Sequence, residues 1–364
     1  MNKVKVYVGM SGGVDSSLTA ALLVEQGYDV TGVYMKNWTT DLPGVKCPWT
    51  TDLADAKRVS VKLGIDFKVF DFEKEYKHKV VDYMIDDYKK GRTPNPDIMC
   101  NQEVKFKLFL ETALAEGADM IATGHYARVE KFRRLTNPSS DESTPIGVLE
   151  TAIDKNKDQT YFLYRVTGEA LGKVLFPIGE FKKSKVRKMA AERGLSTAAK
   201  KDSQGICFVG QVGIRDFLSL YVQQKLGDII DKKSGKVLGH HDGAIFYTLG
   251  QRHGLDLGGG LPYYIVGKDM DKNEVYVTTD LNDDTLWKKE IKLSDVHWIN
   301  EAPPEGKYQI RIRHQAPFVE TMLSFDGKNV VLKSENPGRA IASGQSVVIY
   351  SYNSEICLGG GIII

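Results

Sequence analysis

The chain predicts an α/β catalytic region built on a parallel sheet, then a small central domain and a C-terminal β-barrel. Three observations carry that prediction. Between residues 3 and 123, short β-branched or apolar runs alternate with helical stretches, the pattern of a parallel sheet wrapped by helices. Beyond Gly205, helical spacing gives way to short alternating segments separated by Gly, Asp, Asn and Pro. From Thr285 onward only strand patterning remains. At 364 residues the chain exceeds a single hydrophobic core, which stops growing at about 250–300 residues, so division at 1–205, 206–284 and 285–364 is expected.

In chain order, strands are predicted at Lys3–Gly9, Val30–Met35, Phe67–Phe70 and Met120–Thr123. Helices are predicted at Ser16–Gln26, Asp52–Leu63, Tyr76–Lys89 and Lys105–Glu116, where apolar residues recur at helical spacing. The polar run from Arg133 to Pro145 reads as a surface excursion, after which Gly147–Ile153 resumes a strand. Helices follow at Ser184–Arg193 and Ile214–Lys225. The barrel strands are Lys307–His314, Val319–Phe325, Asn329–Ser334 and Ser346–Ser351, joined by Asp-Gly, Asn-Pro-Gly and Ser-Gly turns. Alternation in Gln309–Arg313 puts Arg311 and Arg313 on one solvent face.

Composition narrows the function classes. No apolar run approaches a membrane span, and Met1-Asn-Lys-Val leads into a strand without an apolar leader, so a cytoplasmic protein is expected. Cys47, Cys100, Cys207 and Cys357 are widely spaced, with no Cys/His cluster of zinc-ligand spacing, so neither zinc nor an iron–sulfur cluster is expected. Cys357 reads as a packed thiol and Cys47 as an exposed one without an assigned task. The net charge of +2 hides an uneven distribution. Lys182, Lys183, Lys185, Arg187, Lys188, Arg193, Lys200 and Lys201 stand against one acid, Glu192. Two readings stay open, an ordinary solvated helix face and a surface for nucleic acid.

Three loops carry chemistry. Ser11-Gly-Gly-Val-Asp-Ser-Ser17 lies where the first strand turns into a helix, so its backbone N–H groups can close around phosphate oxygens. No Lys follows Gly13, so this is not the kinase-type phosphate loop, and Asp15 fits an organiser of magnesium or pyrophosphate. Gly91-Arg-Thr-Pro-Asn-Pro-Asp-Ile-Met-Cys100-Asn101 presents Asp97 and Cys100 before a helix, whose N-terminus would favour a thiolate. Lys201-Asp-Ser-Gln-Gly-Ile-Cys207-Phe208 ends in a second cysteine beside the basic stretch.

Ser-Gly-Gly-x-Asp-Ser after a strand resembles the motif of the PP-loop ATP pyrophosphatases, which implies an adenine nucleotide α-hydrolase-like domain that splits ATP between its α and β phosphates. Further motifs narrow the resemblance: Met35-Lys-Asn-Trp38, Arg92–Asp97 with Cys100-Asn101, Gly124-His-Tyr-Ala127, Lys157–Phe162, Gly205–Phe208, Tyr247–Arg252 and Arg311–Gln315. In this order, over essentially the whole chain, they are similar to the tRNA-specific 2-thiouridylases. That family places sulfur at C2 of the wobble uridine, position 34, of Lys, Glu and Gln tRNAs.

The resemblance implies ATP as co-substrate, with Mg2+, at Gly9, Met10, Ser11, Gly12, Gly13, Val14, Asp15, Ser16, Met35 and Gly124. It implies that Asn95, Pro96 and Asp97 touch the target base, and that Cys207 carries a persulfide with Cys100 as its catalytic partner. Asp97 would transfer a proton or orient the base; its residue-level alternative is an Asx hydrogen bond that stabilises the turn. His125, Lys157, Asp158, Gln159, Arg313, His314 and Gln345 would touch tRNA. The implied partners are tRNA and a persulfide donor such as a cysteine desulfurase or sulfur-relay protein, with no membrane. Two rivals remain at this point, an ATP-dependent ligase of the same superfamily and a non-catalytic RNA-binding protein.

Overall fold

Parallel pairing organises the N-terminal region. The computed structural model describes residues 3–42, 47–132, 145–202, 213–258, 260–339 and 341–364. Strands β1 (Lys5–Gly9), β2 (Asp29–Lys36), β3 (Asp66–Asp71) and β4 (Met120–Thr123) join β7 (Val174–Leu175) in an all-parallel sheet of order β3-β2-β1-β4-β7. Helix α1 (Val14–Glu25), α2 (Trp49–Leu63) and α9 (Lys183–Glu192) enclose one apolar core with Val6, Val8, Leu18, Ala56 and Val186. On the other face a second core gathers Val33, Phe70, Val80, Met84, Val104 and Phe109.

That second face is built from two longer helical runs. The first passes from α3 (Glu73–Tyr76) through wide π turns over Lys77–Asp82 into α4 (Tyr83–Lys89). The second passes from α5 (Pro96–Met99) through π turns over Cys100–Leu108 into α6 (Phe109–Ala115). The helix expected from Lys105 therefore starts nine residues earlier, at Pro96, because Asn95 caps it: its Oδ1 accepts from the N–H of Asp97 at 3.0 Å and of Ile98 at 3.4 Å.

The barrel recruits strands from the N-terminal region. Strands β12 (Trp287–Trp298), β13 (Gly306–Arg311), β14 (Val319–Asp326), β15 (Asn329–Arg339), β16 (Ser346–Tyr350) and β17 (Ile356–Ile363) close through a β12–β17 pairing. The hairpin β5 (Ala127–Phe132) and β6 (Ile146–Thr151) extends this sheet through pairing of β6 with β17. Short helices α7 (Thr160–Leu163) and α8 (Gly168–Gly172) follow the hairpin. Between the two larger regions, α10 (Ile214–Leu218) leads into a four-stranded sheet of β8 (Gly227–Asp231), β9 (Val237–His241), β10 (Tyr264–Asp269) and β11 (Glu274–Thr278). Helix α10 stops at Leu218, short of the expected Lys225.

One barrel expectation is overturned. Strand β13 ends at Arg311, whose side chain is buried, stacked 4.0 Å from the Phe318 ring centre and paired with Asp158 at 3.2 Å. Arg313 lies beyond the strand and is exposed. Strand alternation fails because the chain turns at residues 312–316, where Gln315 takes φ +60 and the N–H of Ala316 bonds the carbonyl of Arg313.

Candidate active site

The phosphate-type loop sits at the carboxyl end of β1, the edge where parallel sheets bind ligands. Gly9 ends β1, and a side chain there would meet the Met35 methyl at 3.0 Å. Met10 is buried and its N–H bonds Val33 O at 2.7 Å. Gly12 takes φ +72, and a Cβ at that position would sit 2.3 Å from the Asp52 carbonyl oxygen, so only glycine lets α2 approach this closely. Gly13 caps α1 and Val14 is buried in its first turn. The N–H of Ser11 donates to Ser16 Oγ at 3.1 Å, while the Ser17 hydroxyl donates to Gly13 O at 2.7 Å. Gly124, just past β4, abuts the same turn: its Cβ would lie 2.6 Å from the Ser16 nitrogen. Met35 is 6% exposed and packs beneath Gly9, so its thioether is core rather than an open platform for a base.

Asp15 is the hub of an ion network that sequence reading missed. Its carboxylate accepts from Tyr126 Oη at 2.9 Å and from Lys183 Nζ at 2.7 and 2.8 Å. Lys183 also pairs with Asp202 at 2.8 Å, and Asp202 in turn holds Lys157 at 2.9 Å and Arg187 at 2.6 Å. Burial alone would raise the Asp202 carboxyl, but the hydrogen bonds from Lys183 and Lys157 outweigh it and hold it at about 2. The Tyr126 hydroxyl is pushed far above the usual tyrosine range, first by burial and then by Asp15. Helix α9 is anchored over the loop because Asp154 accepts from the Lys183 N–H at 2.9 Å.

Much of the basic stretch is thus turned inward. Arg187 also donates to the carbonyls of Ala198 and Lys200, Arg193 pairs with Glu25 at 2.7 Å, and Lys200 pairs with Asp52 at 2.7 Å and Asp55 at 2.6 Å. Lys182, Lys185, Lys188 and Lys201 are the exposed ones. The exposed charge is therefore half of what the sequence count suggested.

The run Lys157–Gln159 is likewise occupied internally. Besides the Lys157 pair, Gln159 exchanges hydrogen bonds with the backbone of Tyr126 at 2.9 Å each way. Asp158 is 1% exposed; it accepts from the Ala152 N–H at 2.7 Å, the Thr160 hydroxyl at 2.6 Å and Arg311. Asp158 joins the barrel to the catalytic region and offers RNA no surface, which corrects its reading as a tRNA contact.

His125 is also buried, between the rings of Phe106 and Phe176. Burial, reinforced by Lys105, keeps it neutral, and its Nδ1 lies 2.7 Å from Thr123 Oγ1. His314 stacks on Phe162 at 4.3 Å, and burial first, then Arg311 and Lys157, lowers it to about 4, so it too is neutral near pH 7. Neither imidazole supplies a positive charge to a phosphate.

In the second loop, Asp97 is half-buried and its carbonyl accepts from Asn101 Nδ2 at 2.9 Å. Asn95 makes an Asx bond in this turn, its Oδ1 accepting from the Asp97 N–H. Cys100 is fully buried and is the fifth residue of the helical run that starts at Pro96. The barrel docks on this loop: the Thr93 N–H donates to Ser343 O at 3.0 Å, and a Cβ on Gly344 would lie 2.6 Å from Arg92 Cβ. That places Gln345 beside the loop. Cys207 lies outside the described residues. Cys47 is 4% exposed, with its thiol raised first by burial, which corrects its reading as exposed; Cys357 is buried as expected.

Two asparagines stood in the sequence motifs without an assigned role. Asn37, just past β2, is 1% exposed with both amide atoms unpaired, and Asn101 Oδ1 is buried without a partner. Each such group costs about 1–3 kcal/mol.

Comparison with known proteins finds three family models in succession along the chain. Residues 4–211 match the family model described as "tRNA methyl transferase HUP domain", residues 215–279 the "tRNA methyl transferase PRC-barrel domain", and residues 288–363 the "Aminomethyltransferase beta-barrel domain". A protein of Geobacillus thermodenitrificans named "tRNA-specific 2-thiouridylase MnmA" is 47% identical, with 100% of this chain and 95% of that protein aligned. Proteins of the same name from Levilactobacillus brevis and Bacillus subtilis are each 46% identical; the alignments cover 100% and 99% of this chain and 96% and 94% of theirs.

Proposed function

The chain belongs to the tRNA-specific 2-thiouridylase family, and on that premise we propose that it adenylates C2 of the wobble uridine of Lys, Glu and Gln tRNAs and replaces the oxygen by sulfur. The observation that carries this reading is the turn Ser11–Ser16, pressed by Asp52 on one side and Gly124 on the other. The turn lies at the carboxyl end of β1 and at the start of α1, where helix amides without intrahelical partners suit pyrophosphate.

Catalysis starts from the difficulty that a uracil C2 oxygen is a poor leaving group. The base oxygen attacks the α phosphorus of ATP, the α–β bridging bond breaks, and pyrophosphate leaves from the Ser11–Ser16 turn. Lys183 supplies positive charge there once Asp15 releases it. Magnesium fits this site through Asp15, whose carboxylate already holds a cation, Lys183, at 2.7 Å; bound with ATP, the metal would neutralise phosphate charge.

The terminal sulfur of a Cys207 persulfide then attacks C2, and AMP departs with the original oxygen. Cys100, as thiolate, attacks Cys207 Sγ, breaking its bond to the transferred sulfur and leaving 2-thiouridine and a Cys100–Cys207 disulfide, which an external thiol reduces. Asn95 holds the turn that presents Asp97 to the base. A flipped base costs a few kcal/mol of stacking, which contacts from the barrel and the exposed lysines offset. C207S is expected to form AMP on tRNA yet transfer no sulfur from a persulfide donor. Undiminished thiolation by that variant would remove Cys207 from the mechanism.

A further inference from the structure

A cavity of about 500 Å³ opens where all three regions of the chain meet. The catalytic region contributes Tyr88 and Thr93, the barrel Arg313 and Gln345, and the central region the wall from Phe246 to Gln251 with α10. The Tyr247–Arg252 run has no part in the chemistry above, yet it forms most of one side.

The chemistry of this wall is specific. Arg215 stacks over Phe246 at 5.6 Å and Tyr247 at 5.7 Å, while both oxygens of Asp242 accept from it at 2.6 Å. Its charge is spent on a carboxylate, so what it presents to the cavity is a flat, stacked surface rather than a phosphate grip. Gln251 holds the wall rigid: its Oε1 accepts from the Thr248 N–H at 3.1 Å and its Nε2 donates to His253 O at 2.8 Å. Leu218, Leu249 and Tyr88 add apolar area. The Gln345 carboxamide, also lining the cavity, has no hydrogen-bond partner among the described residues, which leaves its NH2 donors and its carbonyl acceptor side by side. Thr93 sits two residues before Asn95, so the cavity adjoins the loop assigned to the target base.

We propose that this cavity receives the base of one of the two unpaired nucleotides flanking the target uridine, stacked on the wall of Arg215, Phe246 and Leu249 and read at its edge by Gln345. Flat aromatic and guanidinium surfaces with a free amide are how proteins hold splayed-out bases of single-stranded RNA. The central region thereby acquires a task, to fix the register of the loop while the target base is turned toward Asp97. This rests on the proposed activity on tRNA.

The test uses the full chain and synthetic anticodon stem-loops, either intact or with an abasic site on the 5′ or 3′ side of the target uridine. For the unaltered protein, one of the two abasic loops is expected to bind roughly tenfold more weakly than the intact loop, about 1.4 kcal/mol. L249W, which fills the cavity, and Q345A, which leaves the packing alone, are expected to bind the intact loop more weakly and to lose that discrimination, while binding ATP normally. Equal affinity of the unaltered protein for intact and both abasic loops overturns the subsite. So does full discrimination retained by both variants. If the unaltered protein binds no stem-loop at all, the activity on tRNA falls together with the subsite.

Discussion

Helix α9 with its tail and the barrel's 313–315 turn both carry basic residues an RNA partner would use, yet they spend them differently. In α9 and after it, Lys183, Arg187, Arg193 and Lys200 are all tied to carboxylates, and the pairs reach Asp15, Glu25, Asp52 and Asp202. At the barrel, Arg313 stays exposed and Gln345 opens onto the three-region cavity, while its near neighbour Arg311 is buried against Asp158. The lesson is that positive charge in this chain falls into two sets, one tied internally to carboxylates around the Ser11–Ser17 turn and one left on the surface, and that burial separates them.

The largest effect is expected where the inward use is deepest. R311M leaves Asp158 buried without its countercharge, which is expected to cost about 3–5 kcal/mol of stability in urea unfolding. If R311M instead keeps its stability and loses only tRNA affinity, Arg311 belongs with the exposed set and the contrast breaks.

K183M comes next. It is expected to slow AMP and pyrophosphate formation roughly a hundredfold, the scale of losing one preorganised charge contact, while tRNA affinity and its salt dependence stay unchanged. Restored rate in K183R would sharpen the assignment. A shallower salt slope in K183M would return Lys183 to the RNA surface. For the exposed set, K182E and K185E together are expected to lower the slope of log affinity against log salt by about one unit per lost phosphate contact, and K200E not at all.

The smallest effect concerns acid stability. Asp202 is held at about 2 against an ordinary 3.8, so its contribution to stability is complete above pH 3.8 and is lost as pH falls toward 2. D202N is expected to flatten that limb of an acid-unfolding curve. A curve that keeps its shape would mean that Lys183 and Lys157 do not hold Asp202 in solution.

Legibility followed the range of the interaction. The Ser11–Ser17 turn and the four N-terminal strands are set by neighbours in sequence, where glycine freedom and apolar spacing operate, and they stand close to where the residues put them. Asn95 and its Pro96 were visible as a cap signal but were read as part of a loop. The Lys183–Asp15 pair spans 168 residues and the Arg311–Asp158 pair 153, and no local pattern announces which acid a given cation will meet. Strand alternation misassigned Arg311 for the same reason: a buried arginine looks like an exposed one until Asp158 and Phe318 are brought to it. The recruitment of β5 and β6 into the barrel sheet was equally hidden, since it depends on a strand two hundred residues downstream, as the pairing of Glu150 with Ile356 shows.

The most direct measurement of the central claim is nucleoside mass spectrometry of tRNA incubated with the protein, ATP and a persulfide donor, with AMP counted in parallel. The account predicts 2-thiouridine at the wobble position only when ATP is present, with one AMP released for each sulfur introduced. Thiolation that proceeds without ATP, or AMP release that leaves uridine unchanged, would contradict it.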